Sequence, residues 1–325
     1  MKVVDLFCGC GGLSLGFIKA GFDIIAAFDF WDDAISVYKE NFSHSVFKED
    51  LTDINNAVDK IKSYNPDVII GGPPCQDFSS AGKRNEDNGR GSLTIAYAQI
   101  VSSLRPEWFV MENVERIKKT RKIIEARKIF KESGYGLTQV VLDASLCGVP
   151  QKRKRFVMIG KLGVADDFIL SDLLSGLSEK PMTVADYFGD TLGIKYYYRH
   201  PRSYMRRGIF SVDEPSPTIR GVNRPMPKGY ELRPNDPVNN KNGIRALTTK
   251  ERSMIQTFPE NFKFLGSKTN QEQMIGNAVP VNLGKYIGEA ILKYIERKDN
   301  NVCFYNKQKI IGKESFIPFV GENKV

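Results

Sequence analysis

The amino terminus of the chain has the pattern of a buried strand, a glycine-rich turn and a helix. Residues 2–7 are mostly apolar, residues 8–12 read Cys-Gly-Cys-Gly-Gly, and apolar side chains then recur at helical spacing. Such a turn brings backbone N–H groups and a helix N-terminus close to a ligand. We therefore expect an α/β sheet that begins with a site for a dinucleotide, a phosphate or a nucleoside.

The next segment favours the nucleoside. Residues 23–29 form a second apolar run that ends at Asp29, and a carboxylate at this position can accept both hydroxyls of a ribose. Phe30 and Trp31 follow, and either aromatic ring can stack on a purine. These features do not separate NAD from S-adenosylmethionine, so an NAD-dependent oxidoreductase is an alternative at this point.

Two further apolar runs each lead to a chemically reactive side chain. Residues 67–70 precede a Gly-Gly-Pro-Pro turn that leaves Cys75 at the carboxyl end of a strand, and residues 107–111 deliver Glu112 to the same edge. Ligands gather at that edge in open α/β sheets. A lone cysteine is more often a small buried apolar residue, and a glutamate after a strand can simply cap a helix. Because both residues are expected at the same sheet edge, a catalytic role is the stronger interpretation for each of them.

The composition narrows the possible partners. Lys and Arg number 47 against 38 Asp and Glu, and the net charge of +9 is compatible with a polyanion. The five cysteines form no Cys-x-x-Cys pair and come with two histidines, so the sequence has no zinc-site pattern. There is no apolar run of about 18 residues and no signal-peptide pattern. We expect a cytoplasmic protein of bacterial type that associates with the nucleoid while it acts.

Periodicity fades after residue 189, where Pro, Gly, Asn and Arg accumulate up to residue 243. Basic residues outnumber acidic ones between 195 and 233 and alternate with tyrosines, which offer stacking surfaces to nucleic acid. Within this stretch Arg220, Asn223 and Arg224 are candidates for base contacts, because Arg grips guanine at two points and Asn grips adenine. Phosphate contact is the competing interpretation.

Three other segments have plainer interpretations. Residues 116–131 are basic with helical spacing, which is typical of a solvated helix face. Residues 273–280 predict a turn that leads into a core helix. The tail, residues 299–325, has no clear period, and we predict no function for it.

In their order along the chain, these segments resemble the C5-cytosine DNA methyltransferase family. The resemblance covers nearly everything except residues 189–243 and the tail. Residues 5–12 resemble the first cofactor motif, 73–76 the nucleophile motif, 90–93 the end of a loop that closes over the substrate, 112–114 the acid motif, 151–155 the arginine motif, 245–259 the segment before the last motif, and 276–279 the last motif. Asp29 stands where the family usually has Glu, and Trp31 comes one position later than the expected adenine-stacking ring.

The resemblance implies the fold and the domain organisation. We expect the Rossmann-like, class I fold of S-adenosylmethionine-dependent methyltransferases, an α/β fold with a mostly parallel, doubly wound sheet. A catalytic and cofactor-binding domain would span residues 1–189 and be completed by 268–325. A smaller, loop-rich target-recognition domain with its hinge would span 190–267.

The resemblance also assigns residues to roles. The implied catalytic residues are Cys75 as nucleophile, Glu112 as acid, and Arg153 and Arg155 as cations beside the thiolate and the base. The implied contacts to S-adenosylmethionine, and to its product S-adenosylhomocysteine, are Phe7, Gly9, Gly11, Gly12, Asp29, Phe30, Asp50, Leu51, Pro74, Leu93, Asn277 and Val279. The predicted DNA contacts are Gln76, Ser79, Arg90, Arg220, Asn223 and Arg224. No metal is expected.

These residue types suit methyl transfer to cytosine. C5 of cytosine is a poor nucleophile, but thiolate attack at C6 makes the ring enamine-like and able to accept a methyl group. A thiol of ordinary pKa is only a few per cent ionised at neutral pH, so neighbouring cations help. None of these groups reaches C6 inside a stacked duplex, so the base must flip out. A transfer-RNA cytosine methyltransferase on the same fold is the closest alternative.

The implied partner is duplex DNA, which the protein would methylate as a monomer. A restriction endonuclease that acts on the same site without forming a stable complex is a further expected partner.

Overall fold

A computed structural model describes residues 1–74, 92–201, 203 and 206–311 of the 325-residue chain, with the backbone alone for residue 92 and for residues 299–311. Its centre is a seven-stranded sheet in the order β3-β2-β1-β4-β5-β8-β6. The strands are β1 Lys2–Leu6, β2 Asp23–Asp29, β3 Ser45–Lys48, β4 Val68–Gly71, β5 Trp108–Val114, β6 Tyr135–Asp143 and β8 Lys154–Leu162. β8 runs antiparallel to both β5 and β6, and the other four neighbouring pairs are parallel, so the predicted mostly parallel sheet is confirmed.

Helices cover both faces of this sheet. The helices of the described residues are α1 Gly12–Ala20, α2 Asp32–Asn41, α3 Ile54–Lys62, α4 Ser92–Leu104, α5 Arg121–Glu132, α6 Leu170–Ser175, α7 Val184–Phe188, α8 Thr249–Ile255, α9 Lys268–Asn277 and α10 Val281–Ile311. Of these, α7 and α8 pack in a separate cluster. Successive strand residues point to opposite faces. Val3 and Trp108 therefore lie in one apolar cluster with α1 and α10, whereas Val4 and Phe109 lie in the other with α4 and α5. The sheet is buried on both sides, as a doubly wound fold requires.

A smaller sheet follows in the chain, and the part that contains it, residues 196–246, is here called the second region. Its strands are β9 Tyr196–Tyr198, β10 Ile209–Ser211 and β12 Arg245–Ala246, in the order β10-β9-β12. A separate pair joins β11 Ser216–Pro217 to β7 Gln151–Lys152, which leads into β8. A third apolar cluster includes Val184, Tyr197, Phe210, Leu247 and Ile255. The predicted boundaries between the two domains stay a prediction.

Two expectations from the sequence are wrong. Tyr197, Tyr198 and Tyr230 offer no stacking surface, because they are buried and the first two lie in the middle strand of the small sheet, whereas Tyr196 is half-buried. Tyr204 lies outside the described residues. Residues 273–277 are not a turn, because α9 begins after the Ser267 cap and continues through Asn277.

Strand β5 extends beyond the apolar run, residues 107–111, from which it was predicted. Glu112 and Asn113 lie inside β5 because β8 pairs with them, Glu112 opposite Val157 and Asn113 opposite Phe156. The pairing fixes both polar side chains on a rigid strand near its carboxyl end. The described residues contain no helix long and apolar enough to cross a membrane.

Candidate active site

Two neighbouring strands bring the predicted nucleophile segment to the predicted acid. β4 and β5 are parallel, with Gly71 opposite Met111, so their carboxyl ends lie side by side. A Cβ on Gly72 would lie 3.3 Å from Oε2 of Glu112. The side-chain amide of Asn113 donates to the carbonyl of Pro73 at 2.8 Å. The segment that leads to Cys75 is therefore hydrogen-bonded to β5. No local pattern in the sequence indicates this contact of Asn113.

The carboxylate of Glu112 is buried against Arg155 of β8. Nε of Arg155 lies 2.8 Å from Oε1 of Glu112, and the two side chains are 12% and 9% exposed. Burial raises the pKa of Glu112, and the charges of Arg155 and Arg153 oppose that rise. A carboxyl group that holds its proton more strongly than in water can donate a hydrogen bond to a base.

Arg153 is directed away from this pair. Its guanidinium is buried and donates to three backbone carbonyls, those of Ile219, Gly276 and Ala278, each at 3.0 Å. Burial lowers its pKa, as does the charge of Arg155, while Glu112 opposes the change. Arg153 thus joins β8 to the second region and to the last motif. Its predicted contact with the target base stays a prediction.

A buried pair of amides strengthens the same junction. Nε2 of Gln151 donates to Oε1 of Gln256 at 2.7 Å, and Nε2 of Gln256 donates to the carbonyl of Ile275 at 2.6 Å. The backbone N–H of Ile219 donates to Oε1 of Gln151 at 2.8 Å. The sequence offered Gln256 only as part of the segment before the last motif, and its partner lies 105 residues away.

The glycine-rich turn after β1 has the backbone that a close ligand approach requires. Phe7, Gly9 and Gly11 have positive φ angles of 58°, 54° and 92°. Asp29, at the end of β2, accepts from the N–H of Gly9 at 2.7 Å and from that of Trp31 at 2.9 Å. Burial raises the pKa of Asp29, and these hydrogen bonds oppose the rise. The carboxylate is held in place beside the turn and is partly exposed.

The two aromatic residues after β2 differ in their exposure to solvent. Trp31 packs in a core cluster with Cys10 and Phe258 and donates from Nε1 to Asp33 at 3.0 Å. Phe30 is 64% exposed and has the Nζ of Lys48 5.6 Å from its ring centroid. Phe30 is therefore the aromatic ring with an exposed face, and the later position of Trp31 in the sequence has a packing reason. The predicted adenine contact of Phe30 stays a prediction.

The remaining cofactor candidates lie at the adjacent strand ends. Asp50 is exposed and uses Oδ1 to accept from the N–H and hydroxyl of Thr52, while Leu51 is buried. A Cβ on Gly12 would lie 2.2 Å from the carbonyl oxygen of Val279, so the first and last motifs touch directly. Oδ1 of Asn277 accepts from Nε2 of Gln273 at 3.0 Å. Pro74 is exposed, Leu93 is half-buried, and Gly11 is buried.

A nucleoside needs hydrogen-bond acceptors for its ribose hydroxyls and exocyclic amine, and an aromatic face for its base. The carboxylates of Asp29 and Asp50 and the exposed ring of Phe30 have these properties. The residues fit S-adenosylmethionine. Among the described residues, no group of three His, Cys, Asp or Glu side chains could hold a metal ion.

The predicted DNA contacts are only partly in the described chain. Cys75, Gln76, Ser79 and Arg90 lie outside the described residues. Arg220 donates to the carbonyl of His200, and Arg224 is exposed. Asn223 uses its amide within the protein, donating to Leu247 O at 2.8 Å and to Glu272 at 3.0 Å. Its predicted base contact stays a prediction.

Comparison with known proteins identifies the family. The model of the family described as C-5 cytosine-specific DNA methylase matches residues 1–293. The chain belongs to the C-5 cytosine-specific DNA methylase family. The family and the enzyme class predicted from the sequence, a DNA cytosine methyltransferase, are confirmed, and the glycine turn no longer supports an NAD-dependent alternative.

Individual relatives of this methylase are similar over almost their full length. Type II methyltransferase M.HindV of Haemophilus influenzae is 59% identical over 295 residues, which cover 90% of this chain and 97% of that protein. Type II methyltransferase M.HgiDI of Herpetosiphon aurantiacus is 54% identical over 91% of this chain and 96% of that protein. The Dnmt2 methyltransferase of Schizosaccharomyces pombe has a similar fold, with a TM-score of 0.67 at 16% identity over 91% of this chain and 98% of that one.

Proposed function

We propose that this methylase transfers the methyl group of S-adenosylmethionine to C5 of a cytosine that is flipped out of a specific duplex DNA sequence. The observation that carries the proposal is the buried Glu112–Arg155 pair beside the segment that leads to Cys75. A carboxyl group with a raised pKa, held on a rigid strand next to a thiol segment, is the acid that C6 attack on cytosine requires.

In this mechanism the Cys75 sulfur forms a bond to C6. Glu112, in its protonated form, donates to N3 and draws electron density away from C6 as the bond forms. The ring is then nucleophilic at C5, which receives the methyl group. Loss of the C5 proton, for which we propose water as the acceptor, allows the Cys75–C6 bond to break and restores the aromatic ring.

Arg155 has two tasks in this account. Its charge limits the rise in the pKa of Glu112, so that the carboxyl group can still release and regain a proton. It also supplies positive charge for the Cys75 thiolate. Its planar guanidinium retains further N–H donors for O2 of the base or for the adjacent phosphate.

S-Adenosylmethionine supplies a methyl group activated by a positively charged sulfur. Asp29 would hold the ribose, Phe30 the adenine face and Asp50 the adenine edge. The N–H groups of the glycine turn and the Val279 segment, which touches Gly12, would enclose the rest of the molecule. S-Adenosylhomocysteine would leave from the same contacts.

The biological setting follows from the relatives. Two of them are named as Type II methyltransferases. We propose that this protein belongs to a restriction-modification system, acts as a monomer, and protects host DNA from an endonuclease with the same site and without a stable complex between the two enzymes.

Transfer of labelled methyl groups tests the proposal. Purified protein and methyl-labelled S-adenosylmethionine are incubated with duplex plasmid DNA and, separately, with bulk transfer RNA. Bisulfite sequencing of the plasmid then locates the modified base. The proposal predicts label in DNA at one cytosine of a fixed sequence and none after Cys75→Ala. Label in transfer RNA alone, or activity that survives Cys75→Ala, would contradict it.

A further inference from the structure

The segment from residue 219 to residue 224, here called the 219–224 loop, is a part of the second region that contacts the active-site motifs. Its first carbonyl, that of Ile219, accepts from Arg153, which stands two positions before the Arg155 that pairs with Glu112. Its next residues press against α9: a Cβ on Gly276 would lie 2.2 Å from the backbone nitrogen of Gly221. The loop therefore begins at the catalytic sheet and touches the helix that ends in Asn277.

A buried ion pair holds the middle of the 219–224 loop. Nε of Arg252 lies 2.7 Å from Oε2 of Glu272, and their side chains are 6% and 4% exposed. Arg252 also donates to the backbone carbonyls of Arg220 and Val222. Burial lowers the pKa of Arg252, and Glu272 opposes that change. A buried charge is costly unless it is paired, so this pair commits α8 and α9 to one conformation of the loop.

Asn223 belongs to the same support. Oε1 of Glu272 accepts from the amide of Asn223 at 3.0 Å and from the hydroxyl of Thr249 at 2.8 Å. A second bond from the same amide nitrogen goes to Leu247 O at 2.8 Å. Recognition of adenine by Asn requires an amide N–H as well as its oxygen. In this conformation both N–H groups of Asn223 already have partners inside the protein.

The side chain of Asn223 faces the protein, whereas the residues on either side of it are exposed. Val222 is 51% exposed although its carbonyl is held by Arg252, and Arg224 is exposed. Arg220, in the same loop, donates to the backbone carbonyl of His200. After burial, the charges of Arg224 and Arg220 also lower the pKa of His200. A single exposed valine is ordinary on a free surface. Here it stands on a rigid backbone beside cations that suit a phosphate chain.

We propose that Val222 is a specificity contact, which meets the C5 edge of a pyrimidine in the major groove, and that Asn223, Arg252 and Glu272 are positioning residues that hold it there. Apolar side chains recognise the thymine methyl group by contact, and this requires that the backbone is fixed. The inference rests on the proposed function, because it assumes duplex DNA as substrate.

The test compares the methylation profiles of variants on a plasmid library in which each position of the wild-type site is varied. Val222→Ala is expected to reduce discrimination about tenfold at one position of the site, because the contact that favours the cognate base there is lost. Leu232→Ala is the matched control, since Leu232 is also exposed in this region, at 36%. Discrimination that stays at the wild-type level at every position in Val222→Ala would overturn the inference.

The positioning residues are tested on the same library. Asn223→Ala and Glu272→Gln are expected to raise KM for DNA about tenfold or more and to weaken discrimination at several positions together, while cofactor affinity is retained. Glu260→Gln, which removes an exposed ion pair with Lys250, is the control for loss of a carboxylate. Loss of discrimination at a single position in Asn223→Ala would make Asn223 a base contact and overturn its assignment.

Two measurements keep the result interpretable. Thermal melting and S-adenosylmethionine binding show whether Glu272→Gln is folded, and Asn223→Ala decides the question if it is not. A wild-type protein that methylates no duplex DNA would instead refute the proposed function itself. Wild-type activity with unaltered profiles in all three variants would refute this inference alone.

Discussion

The side-chain amide of Asn113 donates to the carbonyl of Pro73 across the carboxyl ends of β5 and β4, at 2.8 Å. Asn113 follows the predicted acid, and Pro73 stands two residues before the predicted nucleophile. This hydrogen bond ties the segment that leads to the predicted nucleophile to the strand that carries the predicted acid.

Asn113→Ala removes this bond and is expected to lower kcat about 10- to 100-fold, because a misplacement of about 1 Å between reacting groups has an effect of this size. KM for S-adenosylmethionine should change little. Steady-state kinetics on duplex DNA measure both values. Asn41→Ala is the control, since Asn41 also donates to a backbone carbonyl, that of Val37 at 2.7 Å, but far along the chain from the site. Equal kcat in wild type and Asn113→Ala would refute the positioning role.

The Glu112–Arg155 pair predicts a strong coupling in stability. Arg155→Ala leaves a buried carboxylate without its partner and is expected to reduce the free energy of unfolding by about 3 kcal/mol. In Glu112→Gln/Arg155→Ala the neutral amide has no charge to compensate, so the double variant should lose less than the sum of the two single variants. Denaturant unfolding measures the cycle. Additive losses would show that the two groups do not interact.

The buried carboxyl of Asp5 predicts how stability depends on pH. Asp5 is fully buried, accepts from the hydroxyl of Ser14 at 2.5 Å, and has its pKa raised to about 8, chiefly by burial. The folded protein therefore holds a proton that the unfolded chain releases near pH 4. The resulting stability is fully present below about pH 4 and is lost as the pH rises to about 8.

Asp5→Asn should flatten that dependence, because the amide keeps the neutral form at every pH. Melting temperatures between pH 5 and pH 8.5 are expected to fall less in Asp5→Asn than in wild type. Asp59→Asn removes an exposed carboxylate and serves as the control. Parallel curves for wild type and Asp5→Asn would show that Asp5 ionises normally in the folded protein.

The contact between the first and last motifs predicts a defect in cofactor binding. A Cβ on Gly12 would overlap the carbonyl of Val279, so Gly12→Ala must displace one of two segments proposed to enclose S-adenosylmethionine. We expect the Kd for the cofactor to rise at least tenfold in calorimetry. Gly229→Ala is the control, because a Cβ there meets nothing within 4 Å. Equal affinity in the two variants would place the cofactor elsewhere.

The sequence predicted the elements whose signal is local. Apolar runs predicted the strands, and the glycine turn with Asp29 predicts a nucleoside site, since these signals depend on neighbours in the chain. Contacts between distant residues carried no such signal. Arg153 has the character of a solvated cation in sequence, yet its carbonyl partners lie 66 to 125 residues away and bury it.

The second region was harder to predict for a related reason. Tyr197 and Tyr198 lie in a strand of three residues, too short for a period to indicate which side chains face inward. Asn223 is a predicted base contact by residue type, and its hydrogen bonds to Leu247 and Glu272 are visible only in three dimensions. Charge and composition predict a nucleic-acid interface in this region, but they do not indicate which side chains face inward.

A trapped covalent complex tests the central claim most directly. A DNA fragment synthesised with 5-fluorodeoxycytidine in place of deoxycytidine is incubated with the protein and S-adenosylmethionine, then denatured. After methyl transfer the fluorine at C5 cannot leave as a proton does, so the bond from Cys75 to C6 should persist. The account predicts a denaturation-resistant adduct that maps to Cys75, forms with wild type and is absent in Cys75→Ala. No adduct with wild type that is active on ordinary DNA, or an adduct at another residue, would contradict it.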